Sequence, residues 1–392
     1  MIDVPRIRAM HPALAEGFAH FDGAGGTQPA ESVVAAIADA MRTAVSNRGT
    51  NFEPARRSGE IVAAARSAVA DLLGADPAGV VFGPSATALT YLVARTMALG
   101  QGDEVVVSRL DHDANVRPWG QTGATVRWAD VDVKTGELPV DQYADLVGPR
   151  TRVVAVTAAS NAIGTVPAVA SIARIAHAAG ALVYVDGVHA TAHRPIDVAA
   201  MGADFYVTSA YKWSGPHYAT VVADPALWET LSPAKLLPSP DHVPDQFEFG
   251  TLSFELLAGV TAAVDHLAGL APSPGDRRSR LAASMAEVVA YENRLLDRLL
   301  AGLAANDRVT LCPAPADRCP TVSFRLDGQA PAETARLLGD QGICVSNGDY
   351  YAAEYFIAAG LRDSGGAVRA SIYHYNTEAE IDRLLAALGA LR

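Results

Sequence analysis

Lysine is nearly missing from this 392-residue chain: Lys134, Lys212 and Lys235 are the only three, and arginine supplies every other basic side chain. Cysteine is as scarce, with Cys312, Cys319 and Cys344 forming an odd set without paired metal-ligand spacing. A reduced compartment argues against a Cys312–Cys319 disulfide, and all three are expected to be structural, Cys344 as a small core residue. There is no basic run; the formal net charge is -12 and the pI about 5.3. That balance leaves no electrostatic footprint for nucleic acid or an anionic membrane, so neither is expected as a partner. No apolar run is long enough to span a bilayer, and Met1–Arg8 lacks the apolar core of a signal peptide. A cytoplasmic protein is therefore expected, and no internal repeat is visible.

Apolar residues, in contrast, make up 50% of the chain. That is ample for a core, and the length implies two domains or one large domain with an appendage. After the glycine-rich Phe21–Gly26, Pro29 opens an alanine-rich helix expected to reach about Ser46, and a second helix is expected from Glu53 to Leu73. Arg56, Arg57 and Arg66 are expected on solvated faces. From Val80 short apolar runs, near 80–82, 104–107, 126–129, 152–156, 182–185 and 205–208, alternate with helical or turn stretches. This pattern predicts parallel strands with crossover helices. A strand near 218–223 follows so closely that it should be antiparallel to its predecessor. The stretch 271–276, rich in proline and serine, marks a break before a long helix near 277–304, strands near 321–326 and 367–372, and a last helix from Thr377.

Lys212 stands apart from the other two lysines. Lys134 and Lys235 lie in polar or proline-bounded turns, whereas Lys212 follows an apolar strand, lies between Tyr211 and Trp213, and precedes Ser214-Gly-Pro216. A lysine crowded by aromatics at a sheet edge can lose its proton and attack a carbonyl; alternatively its stem rests on the rings with the amine in water. Other strands deliver further groups to the same edge. Gly83–Thr90 joins a strand to a helix, where small residues suit an anion at the positive helix end, although Ser85 or Thr87 can equally serve as a cap. Asp186 ends another strand and either pairs with a cationic ring nitrogen or caps the segment from Gly187. Asn161 ends a third and can donate toward the same space. His112, between Asp111 and Asp113, either stacks on a planar cofactor or is ion-paired. A lysine, a lone carboxylate, a phosphate cradle and a stacking ring fit pyridoxal phosphate.

Several motifs make the match specific: Asp111-His-Asp-Ala-Asn115, Ser160-Asn-Ala-Ile-Gly164, Asp186-Gly-Val-His189, Ser209-Ala-Tyr-Lys-Trp-Ser-Gly-Pro-His217, Phe249-Gly-Thr251, Val368-Arg-Ala-Ser371 and Tyr375-Asn-Thr377. In order and over nearly the whole chain, they resemble the class V aminotransferase group of fold-type I pyridoxal-phosphate enzymes, nearest to its cysteine desulfurase-like branch. The resemblance implies an α/β fold: a large domain over 21–270 with a mainly parallel seven-stranded sheet, a smaller α/β domain over 271–392, and residues 1–20 packed on the latter. It implies that Lys212 forms the Schiff base, Asp186 binds the pyridine nitrogen and His112 stacks on the ring. Asn161 and His189 would lie near the phenolic oxygen. Ala86, Thr87 and Ser209 would hold the phosphate, with Thr251 reaching it from the neighbouring subunit of a homodimer. Arg369 would clamp a substrate carboxylate, where its own surroundings suggest only a surface strand residue.

Two positions depart from the desulfurase pattern. The loop that carries the sulfur-accepting cysteine there is Ser346-Asn-Gly-Asp-Tyr-Tyr-Ala352 here, with Tyr351 at the cysteine's place. Tyr211 replaces the histidine common just before the lysine. These features lead to an enzyme acting at the α-amino group of an amino acid, with β-elimination or C–S cleavage as the first expectation. Transamination and epimerisation are the alternatives, and a catalytically silent cofactor-binding homologue is a third class.

Overall fold

The computed structural model describes residues 2–391. Its centre is a seven-stranded sheet whose order is Val80–Gly83, Ala219–Val222, Phe205–Ser209, Leu182–Asp186, Thr151–Thr157, Glu104–Ser108 and Thr125–Ala129. Ala219–Val222 pairs antiparallel with both neighbours, and the other pairs are parallel. Six strands therefore run one way and one runs back, as the short connection after Ser209 predicted. The fold is the expected α/β class, with a large and mostly parallel sheet.

Valine explains why these segments are strands. Branching at Cβ costs little on a pleated surface, and alternate residues meet different layers. Val106, Val154, Val156, Val183 and Val185 join a core on one face, while Val105, Val107, Val153 and Tyr184 join a core on the other. Each fully buried valine contributes about 1.5–3 kcal/mol relative to exposure. The near-continuous apolar runs are the signature of a sheet covered on both sides.

The second helix forms over Glu53–Leu73 as expected, but the first spans only Glu31–Arg42. Thr43 leaves the helix in an extended conformation, with its hydroxyl donating to the Asp39 carbonyl. Phe254–Ala268 packs against both helices. Arg66 is a correction to the solvated face expected for it. It is 8% exposed, pairs with Glu248 at 2.8 Å and Asp245 at 3.1 Å, and donates to the Val80 carbonyl. An arginine among alanines is shielded here by two distant carboxylates that local sequence does not reveal.

Asp276 caps the long helix Arg277–Ala304 by accepting from the Ser279 N–H at 2.8 Å. Beyond it, Ser346–Gly348, Ala367–Ser371, Thr321–Leu326 and Val309–Leu311 form a four-stranded antiparallel sheet in that order. The last helix, Glu378–Ala390, starts with a reciprocal Thr377/Glu380 capping box. Ala19–His20 pairs in parallel with Ile343–Cys344, and Asp22 bridges to Ser371, which seats the early chain against late segments. Among the described residues no helix is long and apolar enough to cross a membrane.

The strands Leu182–Asp186 and Phe205–Ser209 lie side by side, and both end at the same sheet edge. The turn after Asp186 leaves no room for a side chain, because a Cβ on Gly187 would collide with the Tyr206 ring. We expect Gly187→Ala to lower stability by about 1–3 kcal/mol, the usual range for overpacking, read as a lower denaturant midpoint. Since Asp186 precedes this turn, the variant is also expected to bind pyridoxal phosphate more weakly in a fluorescence titration.

Candidate active site

At the carboxyl ends of the parallel strands lies a cavity of about 660 Å³. The sheet delivers Asp186, Ser209 and Lys212 to it, and neighbouring strand–helix connections deliver Ala86, Thr87 and His112. Asn161, His189 and Arg369 complete the set expected within one chain. Thr251 is elsewhere: it is exposed, its hydroxyl donates to Asn47 Oδ1 at 3.3 Å, and it lines a second cavity.

Lys212 sits in the short helical turn Ala210–Lys212. Its Nζ donates to the carbonyls of Ala24 and, at 3.1 Å, Gly25, and lies 4.8 Å from the Tyr211 ring centroid. Burial, then the charge of Arg369, pushes its pKa down to about 7, against the opposing pull of Asp22 and Asp186. The amine itself, and not only the stem, lies against Tyr211, and the carbonyls of the early loop take the place of water around it.

Asp186 also combines two roles. Its Oδ1 accepts the Val188 N–H at 2.9 Å, which holds the turn, while among the described residues Oδ2 has no hydrogen-bond partner. Burial raises the carboxyl to about 6, opposed by the Val188 N–H and Lys212. At the helix Ala86–Thr96, Ser85 is the cap, accepting from the Ala88 N–H at 3.1 Å. The first N–H groups of that helix have no intrahelical acceptor, and Ser85, Ala86 and Thr87 line the cavity.

His112 is not ion-paired with its neighbours. Asp111 is bonded to Ser108 and, at 2.7 Å, to Asn115, while Asp113 pairs with Arg117 at 2.8 Å. His112 Nδ1 accepts the Ala114 N–H at 3.0 Å, so the neutral ring carries its proton on Nε2. Burial, followed by Lys212 and Arg369, lowers its pKa to about 4. Its ring stacks on Tyr351, with centroids 5.5 Å apart and planes at 28°. Tyr350 and Tyr351 both have positive φ, 50° and 60°, in a conformation that costs a non-glycine residue about 1–3 kcal/mol. Tyr351 remains 72% exposed at the cavity mouth.

Arg369 corrects its reading as a surface strand residue, being only 3% exposed. Its strand is flanked on both sides, by Thr321–Leu326 and Ser346–Gly348. The guanidinium donates to the Asn161 carbonyl at 3.0 Å and to Asp22 Oδ1 and Ser346 Oγ, both at 3.2 Å, and lies 4.5 Å over the Tyr350 ring. Its Nε has no partner. Asn161 donates to the Tyr350 carbonyl at 2.9 Å and leaves Oδ1 unpaired. His189 Nε2 is 3.0 Å from Thr321 Oγ1, and burial, then His193, holds the ring neutral. Asp22, Ser346 and Tyr350 carried no assigned chemistry in the sequence. Phe21-Asp22 opens the run of motifs that resembles the family, but no role was assigned to the carboxylate.

None of the three cysteines lines this cavity; Cys312 and Cys319 are buried, and Cys344 is partly so beside Ala19–His20. The unpaired groups complement one planar anionic cofactor: helix N–H groups for a phosphate, Asp186 Oδ2 for a pyridine nitrogen, and a desolvated amine for an aldehyde. The residues present therefore fit pyridoxal phosphate.

Comparison with known proteins agrees. The family model for aminotransferase class-V matches residues 19–384. An uncharacterised protein of Mycobacterium tuberculosis is 38% identical over 398 residues, 99% of each chain. A cysteine desulfurase of Klebsiella pneumoniae is 30% identical, covering 99% of this chain and 98% of its own. The crystal structure of the cysteine desulfurase CsdA from Escherichia coli superposes with a TM-score of 0.86 at 27% identity, over 99% of this chain and 98% of that one. The fold and cavity are those of a fold-type I enzyme dependent on pyridoxal phosphate. The chain belongs to the class V aminotransferase family.

A raised carboxyl pKa in the folded state gives a signed prediction. Burying ionised Asp186 is a cost that is absent below its unfolded value of 3.8, grows up to about pH 6, and is full above that. In the cofactor-free protein Asp186→Asn is therefore expected to be more stable than the parent by up to about 3 kcal/mol at pH 8. The gain should shrink below pH 6 in urea titrations. Destabilisation at pH 8 would show that Asp186 is solvated or paired.

Proposed function

We propose that the chain removes a β substituent from an amino acid by cleaving a carbon–sulfur bond, without a protein cysteine that carries sulfur. The observation that carries this reading is the loop 346–352, which offers Tyr351 and no cysteine to the cavity that holds Lys212. Bound pyridoxal phosphate supplies the electron sink that labilises bonds at an amino acid's α carbon. Ala86, Thr87 and Ser209 hold its phosphate, and Asp186 Oδ2 keeps a proton on the ring nitrogen. His112 stacks on the ring face, and Asn161 and His189 stand by the phenolic oxygen. Arg369 takes the substrate carboxylate. Asp22, a partly exposed carboxylate that an incoming carboxylate can displace, supports that role.

Lys212 Nζ, with its pKa near 7, is free to accept the α proton at neutral pH. The C–S bond then breaks with its electron pair leaving on sulfur as a thiolate, and water converts the remaining fragment to a 2-oxo acid and ammonia. His112, neutral with its proton on Nε2, can donate a hydrogen bond to the departing thiolate, and the proton taken up by Lys212 Nζ is the one available to return to sulfur.

The same reading includes a cytoplasmic homodimer in which Thr251 completes the neighbour's phosphate site. Thr251 is exposed outside its own cavity, and Phe249, two residues away, is 59% exposed, which supports a covered face there. It also includes a division into 21–270 and 271–392 with residues 1–20 on the smaller part, supported by the pairing of Ala19–His20 with Ile343–Cys344.

Borohydride treatment of the holoenzyme should fix the cofactor's mass on the peptide carrying Lys212, and Lys212→Ala should lose that adduct together with about 10²–10⁴-fold in kcat. On cysteine, cystine and S-substituted cysteines we expect a 2-oxo acid with a released thiol or sulfide. Accumulation of the pyridoxamine form would replace the proposal with transamination, and alanine plus sulfane sulfur would replace it with desulfuration. In sedimentation the holoenzyme should be a dimer, with Thr251→Ala weakening cofactor affinity; a monomer that retains cofactor tightly would overturn the role of Thr251.

A further inference from the structure

Away from the catalytic cavity, three histidines from distant parts of the chain meet in the interior. His11 precedes the short helical turn Pro12–Glu16, His266 lies in the last turn of Phe254–Ala268, and His374 follows the strand Ala367–Ser371. They are 1%, 9% and 0% exposed, respectively. Their rings crowd one another, with centroids 5.0 Å apart for His11 and His266 and 6.3 Å and 6.2 Å for His374 against each. His11 Nε2, His266 Nε2 and both ring nitrogens of His374 have no hydrogen-bond partner. Leaving so many buried polar atoms unpaired is costly, and such atoms call for a bound water, an ion or another ligand.

We propose that His11, His266 and His374 bind a divalent late first-row metal ion, zinc in the first instance, as a structural site. One ligand nitrogen from each residue lies within 4.8 Å of the others, and this is the one such group among the described residues. Nitrogens bound at about 2.0–2.1 Å to a tetrahedral ion lie roughly 3.4 Å apart, so the widest separation must close by roughly 1.4 Å. Two of the three residues sit outside regular elements, where small backbone and ring adjustments suffice. His11 is already oriented as a ligand: its Nδ1 donates to the Gln28 carbonyl at 3.0 Å, which leaves the Nε2 lone pair facing the cluster. The nearby cations are committed elsewhere, Arg6 to the Gly269 and Leu270 carbonyls and Arg8 to Tyr375 O and Glu380. Three imidazoles without a thiolate favour zinc, copper or nickel over magnesium or calcium.

Such an ion would tie the N-terminal segment, a helix of the large core and the last loop into one unit. That unit reaches the catalytic turn, because Tyr373, next to His374, shares a hydrogen bond of 3.1 Å with Ser214, two residues after Lys212.

The test uses untagged holoenzyme purified without added chelator, its metals measured by inductively coupled plasma mass spectrometry. Near-stoichiometric zinc, or after chelation and cobalt(II) addition an intense visible band of tetrahedral cobalt clear of the cofactor's absorption, is expected. His266→Asn and His374→Asn should each weaken binding by more than about tenfold, since outer-shell partners alone are worth about 10–100-fold. Their cofactor spectra should stay as in the parent. Traces of metal with no cobalt band, or variants that bind as the parent does, would overturn the site. If a variant fails to fold, the cobalt titration of the parent chain decides alone.

Discussion

The proposed chemistry depends on the removal of one amine from water. Lys212 is a strong base in solution and would be protonated and inert at neutral pH. Its burial behind the Ala24–Gly25 carbonyls, beside the positive charge of Arg369, brings it to about 7. Arg369 is held in the same interior by Asp22, Ser346 and the Asn161 carbonyl. Moving Arg369 into solvent would remove the second contribution to that shift and leave the larger one, burial. The central sheet makes this arrangement possible, since its strand ends converge on one edge while its valines fill both layers.

The opposing charges are placed with similar economy. Asp186 spends one oxygen on its own turn and keeps the other for the cavity, and His112 uses Nδ1 locally and presents Nε2–H. In both, half of a polar side chain is fixed by backbone geometry so that the other half points where a planar ligand would lie. The loop 346–352 contributes differently. It places two consecutive tyrosines in left-handed backbone, one beneath the Arg369 guanidinium and one over the His112 ring.

How much of this was legible depended on whether the signal was local. Most strands of the central sheet, the long helix from Arg277, the last helix after Thr377 and the reversed strand near 219 follow from nearest neighbours and periodicity, and appear as expected. Lys212 was legible because lysine is rare in the chain and this one follows a buried strand. Arg369 and Arg66 were not, because their burial rests on Asp22 and Glu248, partners far away in sequence. Asp22 stood out as a lone acid before a glycine-rich loop, but its partner Arg369 was hidden for the same reason. The histidine cluster was invisible, as no spacing relates residues 11, 266 and 374.

The hydrogen bond from Arg369 to Asp22 closes a span of 347 residues, and the carbonyls that receive Lys212 belong to the same early loop. Contacts of such separation are slow to form because a large loop must be closed before they provide any gain. On a ribosome Asp22 must wait for Arg369 until nearly the whole polypeptide has emerged. Ligand-binding competence therefore arrives as one of the last events of biogenesis, and chains truncated short of the Arg369 strand would lack a finished pocket even with the main sheet assembled.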